Sequence, residues 1–260
     1  TREKAQALLR RLDSSPIPHL RRGLSLVGEG ALRVIADPPE KAKRGLSARR
    51  AARAAGGIAP EIADALRVAK REVRLISPYF VPGRAGLALL RDLRARGVAV
   101  TVVTNSLAAT DVVAVHGGYA RYRRPLLEAG VAFHELKPGP FDDGVSVFGS
   151  RGAALHTKAF AVDGLSAFVG SFNLDPRSAM LNTEMGAFVQ HPGLAKEVAA
   201  EQARLADPSR SWRVELRDGR LSWHDEVLGG PRVLRREPEA SWRRRAVAWL
   251  AHVLPVEEQL

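Results

Sequence analysis

Between residues 72 and 136 the chain alternates between short β-branched runs and helical repeats, and this rhythm restricts its fold more than any other feature. Residues 72–77 (EVRLIS) read as a buried strand stopped by Pro78. A helical pattern over residues 84–96 closes at Gly97, and residues 98–104 (VAVTVVT) return to a strand rich in β-branched side chains. Asp111 stands where a cap belongs, ahead of a long helix through Ala129. Gly130 is its stop, and residues 131–136 form a third strand. Strands joined through helices predict an α/β sandwich: a central mixed, largely parallel sheet with helices on both faces.

The flanks add further elements. Residues 1–12 read as an amphipathic helix broken by Ser14, Ser15, Pro16 and Pro18. Residues 31–36 (ALRVIA) alternate like a strand and stop at Asp37-Pro38-Pro39, and residues 40–58 read as a mobile basic loop. Ile62, Ala65, Leu66 and Ala69 recur at helical spacing. Beyond a Gly- and Pro-rich loop at residues 137–152, strands at 157–162 and 167–170 meet at Asp163-Gly164, a hairpin signal. A strand at 184–190 and a helix at 194–205 follow. Strands at 212–216 and 221–224 flank Asp218-Gly219 as a second hairpin, and residues 241–254 form a last amphipathic helix.

Composition narrows the function classes. With 45% hydrophobic residues among 260, the chain can bury a core. Its formal charge of +12 suits a polyanion: nucleic acid, an anionic membrane surface or a phosphorylated substrate. Heavy use of Arg and Ala accounts for about half of that signal as compositional bias. There is no cysteine, so disulfides and thiolate metal sites are excluded. No apolar run reaches the roughly 18 residues of a membrane-spanning helix. Residues 1–13 are charged and lack an initiator Met, so the chain is expected to begin inside a longer protein.

Chemistry concentrates in residues 155–184, LHTKAFAVDGLSAFVGSFNLDPRSAMLNTE. On a strand, His156 and Lys158 share a face because side chains repeat every two residues. Gly170 and Ser171 allow close backbone approach, and Ser171 and Asn173 add a hydroxyl and an amide. A lysine charge, directed hydrogen bonds and an imidazole converging on one point suit a tetrahedral oxyanion. A lone His beside a lone Lys is more often a surface accident, and a buried Asn more often a turn cap. The whole pattern is far more specific: H-x-K-x(4)-D, then G-S-x-N-x(3)-R-S, then N-x-E. The other histidines form no helix-spaced ligand pair, and no metal or other cofactor is expected.

This pattern resembles the HKD motif of the phospholipase D superfamily. The resemblance implies a phospholipase D-like αβα sandwich with His156 as an active-site histidine and Lys158 and Asn173 holding phosphoryl oxygens, assisted by Ser171. It makes Glu184 the acidic partner of the His156 ring, and Asp163 the motif aspartate, with a structural place at the hairpin. Arg177 would pair with a carboxylate beneath the site. Residues 76–83 (ISPYFVPG), 104–118 (TNSLAATDVVAVHGG), 119–123 (YARYR) and 172–184 are similar to the second half of bacterial cardiolipin synthases, particularly the C type. Such enzymes transfer a phosphatidyl group between phospholipids through a phosphohistidine, with phosphatidylglycerol as acceptor. They carry two HKD motifs, and this chain has one.

The division implied is a linker at 1–30 left from a missing N-terminal half, an HKD domain at 31–210 and a C-terminal hairpin and helix at 211–260. The expected partners are phosphatidylglycerol or phosphatidylethanolamine, an anionic membrane surface, and either the missing half or a second copy in a twofold dimer. The expected location is the bacterial cytoplasmic membrane, peripherally bound. The alternatives are a single-motif phosphodiesterase or nuclease acting as a dimer, or a non-catalytic half-domain; the flanking similarity counts against nucleic acid as the partner. Tyr79, Phe80, Tyr119 and Tyr122 fit either a head-group cleft or the core. In the tail, Trp242, Ala246, Trp249, Leu250 and Val253 share a helical face beside Arg243, Arg244 and Arg245, which suits either a membrane interface or docking on the domain.

Overall fold

The computed structural model describes residues 31–42, 57–139, 155–226 and 230–253. The first twelve residues, most of the basic loop and most of the loop at 137–152 lie outside them. Ten strands form one sheet, β1 (Ala31–Ala36), β2 (Glu72–Ile76), β3 (Ala99–Asn105), β4 (Ala132–Leu136), β5 (Lys158–Val162), β6 (Ser166–Gly170), β7 (Met185–Gln190), β8 (Ser211–Arg217), β9 (Arg220–Asp225) and β10 (Arg232–Leu234). Their order across the sheet is β1-β7-β6-β5-β2-β3-β4-β8-β9-β10.

The sheet is mixed, as expected, but it is not largely parallel. Only β2–β3 and β3–β4 run parallel, each crossing over through a helix. Every other pair is antiparallel, beginning with β5 against β2, where Ile76 faces Ala159. Helical crossovers between neighbouring parallel strands occur only within β2–β4; β1 to β2 and β7 to β8 are also joined through helices, but these strands are not neighbours in the sheet. A long connection between β4 and β5 lets the chain turn back; β5–β6 and β8–β9 are hairpins, whereas β1–β7 and β4–β8 join strands far apart in sequence.

Strand alternation builds two cores. Val73, Leu75, Val100, Val102, Phe133, Phe160 and Phe168 face one way, beneath α1 (Ile58–Arg67), α2 (Gly83–Ala95) and α3 (Val113–Glu128). Ile76, Val103, Ala159, Ala161 and Ala167 face the other, under α5 (Pro192–Ala206) with its Ala195 and Val198. Large side chains fill the first layer, and alanines on β5 and β6 let the single helix of the second layer lie close. Each fully buried Leu, Val or Phe contributes roughly 1.5–3 kcal/mol. The remaining helices are the short α4 (Pro176–Met180) and α6 (Trp242–Val253). Asp111 does not cap α3; its carboxylate accepts the Tyr79 hydroxyl at 2.7 Å, and Val112 occupies the cap position.

The C-terminal hairpin β8–β9 continues the sheet, since β8 pairs with β4. Asp218 and Gly219 both take positive φ, as a two-residue hairpin turn requires. A buried ionic cluster fastens this end. Arg123 of α3 donates to Glu135 of β4 at 2.8 Å and to Glu237 at 2.6 Å, while Tyr119 and Trp223 donate to the same Glu135. Burial opposes both charges of the Arg123–Glu237 pair, yet each sustains the other. Arg123 is held above the usual guanidinium range and Glu237 well below the usual carboxylate range.

Candidate active site

Strand direction collects the chemistry at one end of the sheet. The C-terminal ends of β1, β2, β3 and β6 and the N-terminal ends of β5 and β7 all arrive there. Asp37, Ser77, Asn105, His156, Lys158, Ser171, Asn173 and Glu184 therefore share one rim, the usual place for a crevice in such sheets.

Lys158 opens β5 opposite Gly170. A Cβ at Gly170 would sit 2.5 Å from the Met185 carbonyl and 2.7 Å from the Phe168 ring, so only glycine lets β6 and β7 close here. Lys158 is buried, and its Nζ donates to the His156 carbonyl at 2.7 Å. Burial lowers the Lys158 pKa below the ordinary lysine range, against the opposing pull of Glu184, Asp175 and Asp111. His156 precedes the first ladder pair, and its side chain is exposed.

Glu184 does not hold the His156 ring among the described residues. Its oxygens accept from Ser171 Oγ and, at 3.1 Å, from Ser178 Oγ. The physical reason is position: the ring lies outside the ladder and faces solvent, while two hydroxyls reach the buried carboxylate. The Ser171 hydroxyl proton is thereby committed to Glu184, and its oxygen accepts the Met185 amide at 3.0 Å. Asn173 is buried, with its side-chain oxygen lacking a hydrogen-bond partner among the described residues. Such a group is costly unless something completes it. Asp175 caps α4 by accepting Ser178 N at 2.6 Å; burial, and then the nearby Glu184 charge, raise its pKa despite that bond.

Asp163 lies at the other end of β5, on the hairpin, with φ 56°. Its carboxylate accepts the amides of Arg71 (2.7 Å), Lys70 (2.9 Å) and Glu72 (2.9 Å), tying the turn to the start of β2. Burial would raise its pKa, but these three donors and the Arg71 charge outweigh it and hold the carboxyl below its ordinary range. Four intervening residues separate Asp163 from Lys158, roughly 15 Å along a strand, so its place is structural rather than at the reacting atoms. Among the described residues Arg177 forms no ion pair beneath the site; it is exposed, and its Nε donates to Asn182 at 3.4 Å. Phe80, Tyr119 and Tyr122 belong to the core, leaving Tyr79 alone of the four half-buried near the rim.

Two residues at the rim escaped the sequence reading. Asn105, fully buried at the end of β3, accepts the Leu155 amide at 3.0 Å and donates to the Leu155 carbonyl at 3.4 Å. It thus grips the chain one residue before His156. Asp37 accepts the amides of Ile58 (3.0 Å) and Glu184 (2.9 Å) and pairs with the buried Lys41 at 2.5 Å. Asn105 was detectable as a polar residue ending a parallel strand, where sites gather. Asp37 reads in sequence only as a strand stop.

The fold of this sandwich is found in known structures. A Salmonella typhimurium phospholipase D family member, Nuc, superposes with a TM-score of 0.52 at 16% identity, covering 72% of this chain and 99% of its own. A phosphatidylserine synthase of Haemophilus influenzae gives 0.53 at 16% identity, covering 90% of this chain and 50% of its own. Residues 62–206 match the family described as cardiolipin synthase, PLD-like domain, and the chain belongs to that family. Cardiolipin synthase C of Escherichia coli is 38% identical over 257 residues, 96% of this chain and 52% of that protein. Cardiolipin synthase A of Serratia proteamaculans is 30% identical over 156 residues, 60% of this chain and 29% of that protein. The chain thus spans about half the length of the first of these relatives and less of the second.

Proposed function

We propose that this chain supplies one of two half-sites of a phosphatidyltransferase that makes cardiolipin from phosphatidylglycerol and a donor phospholipid. The observation that carries the reading is the buried ammonium of Lys158, set beside the exposed His156 on the rim. In this reading a histidine nitrogen attacks the donor phosphorus, and the bond to the leaving alkoxide breaks. The histidine of the other half gives that alkoxide a proton. The phosphatidylglycerol hydroxyl then loses its proton to the same histidine and attacks phosphorus, breaking the P–N bond.

Lys158 and Asn173 hold the phosphoryl oxygens, so negative charge grows against a fixed cation and amide. An anionic phosphodiester beside Nζ also favours the ammonium that burial disfavours. Ser171 and Ser178 hold Glu184 in place, and Glu184 orients the His156 ring once the second half closes over it. Residues 1–30 link to that half, residues 31–210 carry the HKD site, and residues 211–260 form the C-terminal extension. The donor is phosphatidylglycerol or phosphatidylethanolamine. The protein works peripherally at the bacterial cytoplasmic membrane; no described helix is long and apolar enough to cross one.

Thin-layer analysis of lipid products tests this. The chain alone is expected to be inactive unless two copies pair. Joined to a half carrying a second H-x-K motif, it should convert phosphatidylglycerol to cardiolipin. His156→Ala should abolish that conversion, and Lys158→Ala should cost at least about 3 kcal/mol of transition-state stabilisation. Wild-type turnover by the folded His156→Ala protein rules the mechanism out.

A further inference from the structure

Helix α6 has two apolar faces, and the fold uses one of them. The docked face is made of small residues. Ala248 and Ala251 are buried against α3, where a Cβ at Gly117 would lie 2.5 Å from the Ala248 carbonyl and 2.7 Å from the Ala251 Cβ. Hydrogen bonds lock the contact: Arg121 donates to the carbonyls of His252 (2.7 Å) and Ala251 (3.1 Å), and Arg245 to that of Glu237 (2.8 Å).

The other face looks outward. At about 100° per residue, Trp242, Trp249, Leu250 and Val253 fall on a stripe roughly opposite Ala248 and Ala251. Trp242 is 72% exposed and Trp249 65%, and more than half of Leu250 and Val253 is exposed as well. Two indoles in water are not required by a helix that already docks through alanines. The charge on the helix itself has one sign, although Glu239 is exposed just ahead of it. Arg243 is exposed, its guanidinium 5.5 Å from the centre of the Trp242 ring. Arg235 and Arg236 are also exposed, next to the Glu237 carbonyl that Arg245 binds. The helix itself, WRRRAVAWLAHV, contains no acidic residue.

We propose that this outer face of α6 is the surface by which the chain lies on an anionic bilayer. Twelve residues make a helix about 18 Å long, and its stripe offers a few hundred Å² at most. That is short of the roughly 800 Å² per partner of a stable protein interface, but it suits a helix lying in the head-group layer. Tryptophans flanked by arginines match the chemistry of that layer. The docking also sets the start of α6 against the segment that leaves the rim after β3. Arg244 donates to the carbonyls of Leu107 (2.8 Å) and Thr110. Those residues lie between Asn105, which grips Leu155, and Asp111, which binds Tyr79. The proposal is argued from α6 alone and stands apart from the transferase reading.

Co-sedimentation with vesicles tests it, using the 260-residue chain on phosphatidylcholine with and without phosphatidylglycerol, at low and high salt. The comparison is a variant carrying Trp242→Ser, Trp249→Ser and Leu250→Ser, all exposed positions, with circular dichroism confirming its fold. The wild-type chain should bind phosphatidylglycerol vesicles and release them in high salt. The triple variant should bind about tenfold or more weakly. Arg243→Ser should weaken binding about fivefold, on anionic vesicles only. Equal binding by wild type and triple variant, or binding by neither, overturns the proposal. So does a change of oligomeric state in the triple variant, seen by light scattering, with vesicle binding unaltered; the face would then be a protein contact. The assay reads binding rather than turnover, so its failure and that of the transferase reading are separate results.

Discussion

Replacing Asn105 with alanine should loosen the chain just before His156 while leaving most of the fold intact. The Leu155 amide gives Asn105 Oδ1 a hydrogen bond of good length, 3.0 Å, and the return bond to the Leu155 carbonyl is long at 3.4 Å. Asn105 is fully buried and Leu155 nearly so, so the abandoned amide has no ready access to water. Counting the first bond in full and the second as minor gives about 2 kcal/mol for the unsatisfied group. That is about a thirtyfold rise in local opening. Hydrogen exchange at the Leu155 amide reads this directly. In Asn105→Ala its protection should fall by about that factor, with β3 and β4 amides changed far less. Asn105→Asp should be worse, since it keeps the acceptor but turns a buried carboxylate oxygen towards the Leu155 carbonyl. Unchanged Leu155 exchange in a folded Asn105→Ala protein would refute the clamp.

Three further outcomes are expected. Because the folded chain holds the Lys158 proton less tightly than the unfolded chain does, Lys158 should make stability rise with pH between its lowered folded pKa and the ordinary lysine value near 10.4. Urea midpoints should show this slope in wild type and lose it in Lys158→Met. Asp163 gives the same sign of slope in the acid range: its depressed carboxyl contributes stability above the ordinary aspartate range, lost as pH falls through the lower folded pKa. Asp163→Asn should cost about 2 kcal/mol at neutral pH in urea unfolding and remove that acid sensitivity. Gly117→Ala should push α6 off α3 at a cost of about 1–3 kcal/mol, detected as faster proteolysis within residues 242–253.

What the sequence disclosed was local. Strands appeared wherever β-branched residues alternated, and the motif residues were found because H-x-K and its followers sit within thirty positions. Direction was not local. Nothing in residues 158–162 states that β5 runs against β2, so the parallel character of β2–β4 was extended too far. Asn105 and Asp37 act on main-chain groups 50 and 147 positions away, and no spacing rule reaches that far. Helix α4 is too short for periodicity, though Asp175-Pro176 carries the start signal of a capped helix. The tail read as one apolar face, Trp242, Ala246, Trp249, Leu250 and Val253; the docking alanines Ala248 and Ala251 lie off that face and were not read.

The pairing of β1 with β7 bears on how the protein is made. Ala36 meets Met185, and Asp37 meets Glu184, across 147 positions of sequence. At roughly 5–20 residues per second, synthesis of that interval takes on the order of ten seconds. For that time β1, with Leu32 and Val34 on its surface, leaves the ribosome as an open strand with no partner. Strands β2, β3 and β4 meet each other much sooner, since only single helices separate them. Conditions that slow elongation would therefore prolong the exposure of β1 far more than that of the parallel strands, and aggregation during synthesis should respond most to changes at Leu32 and Val34.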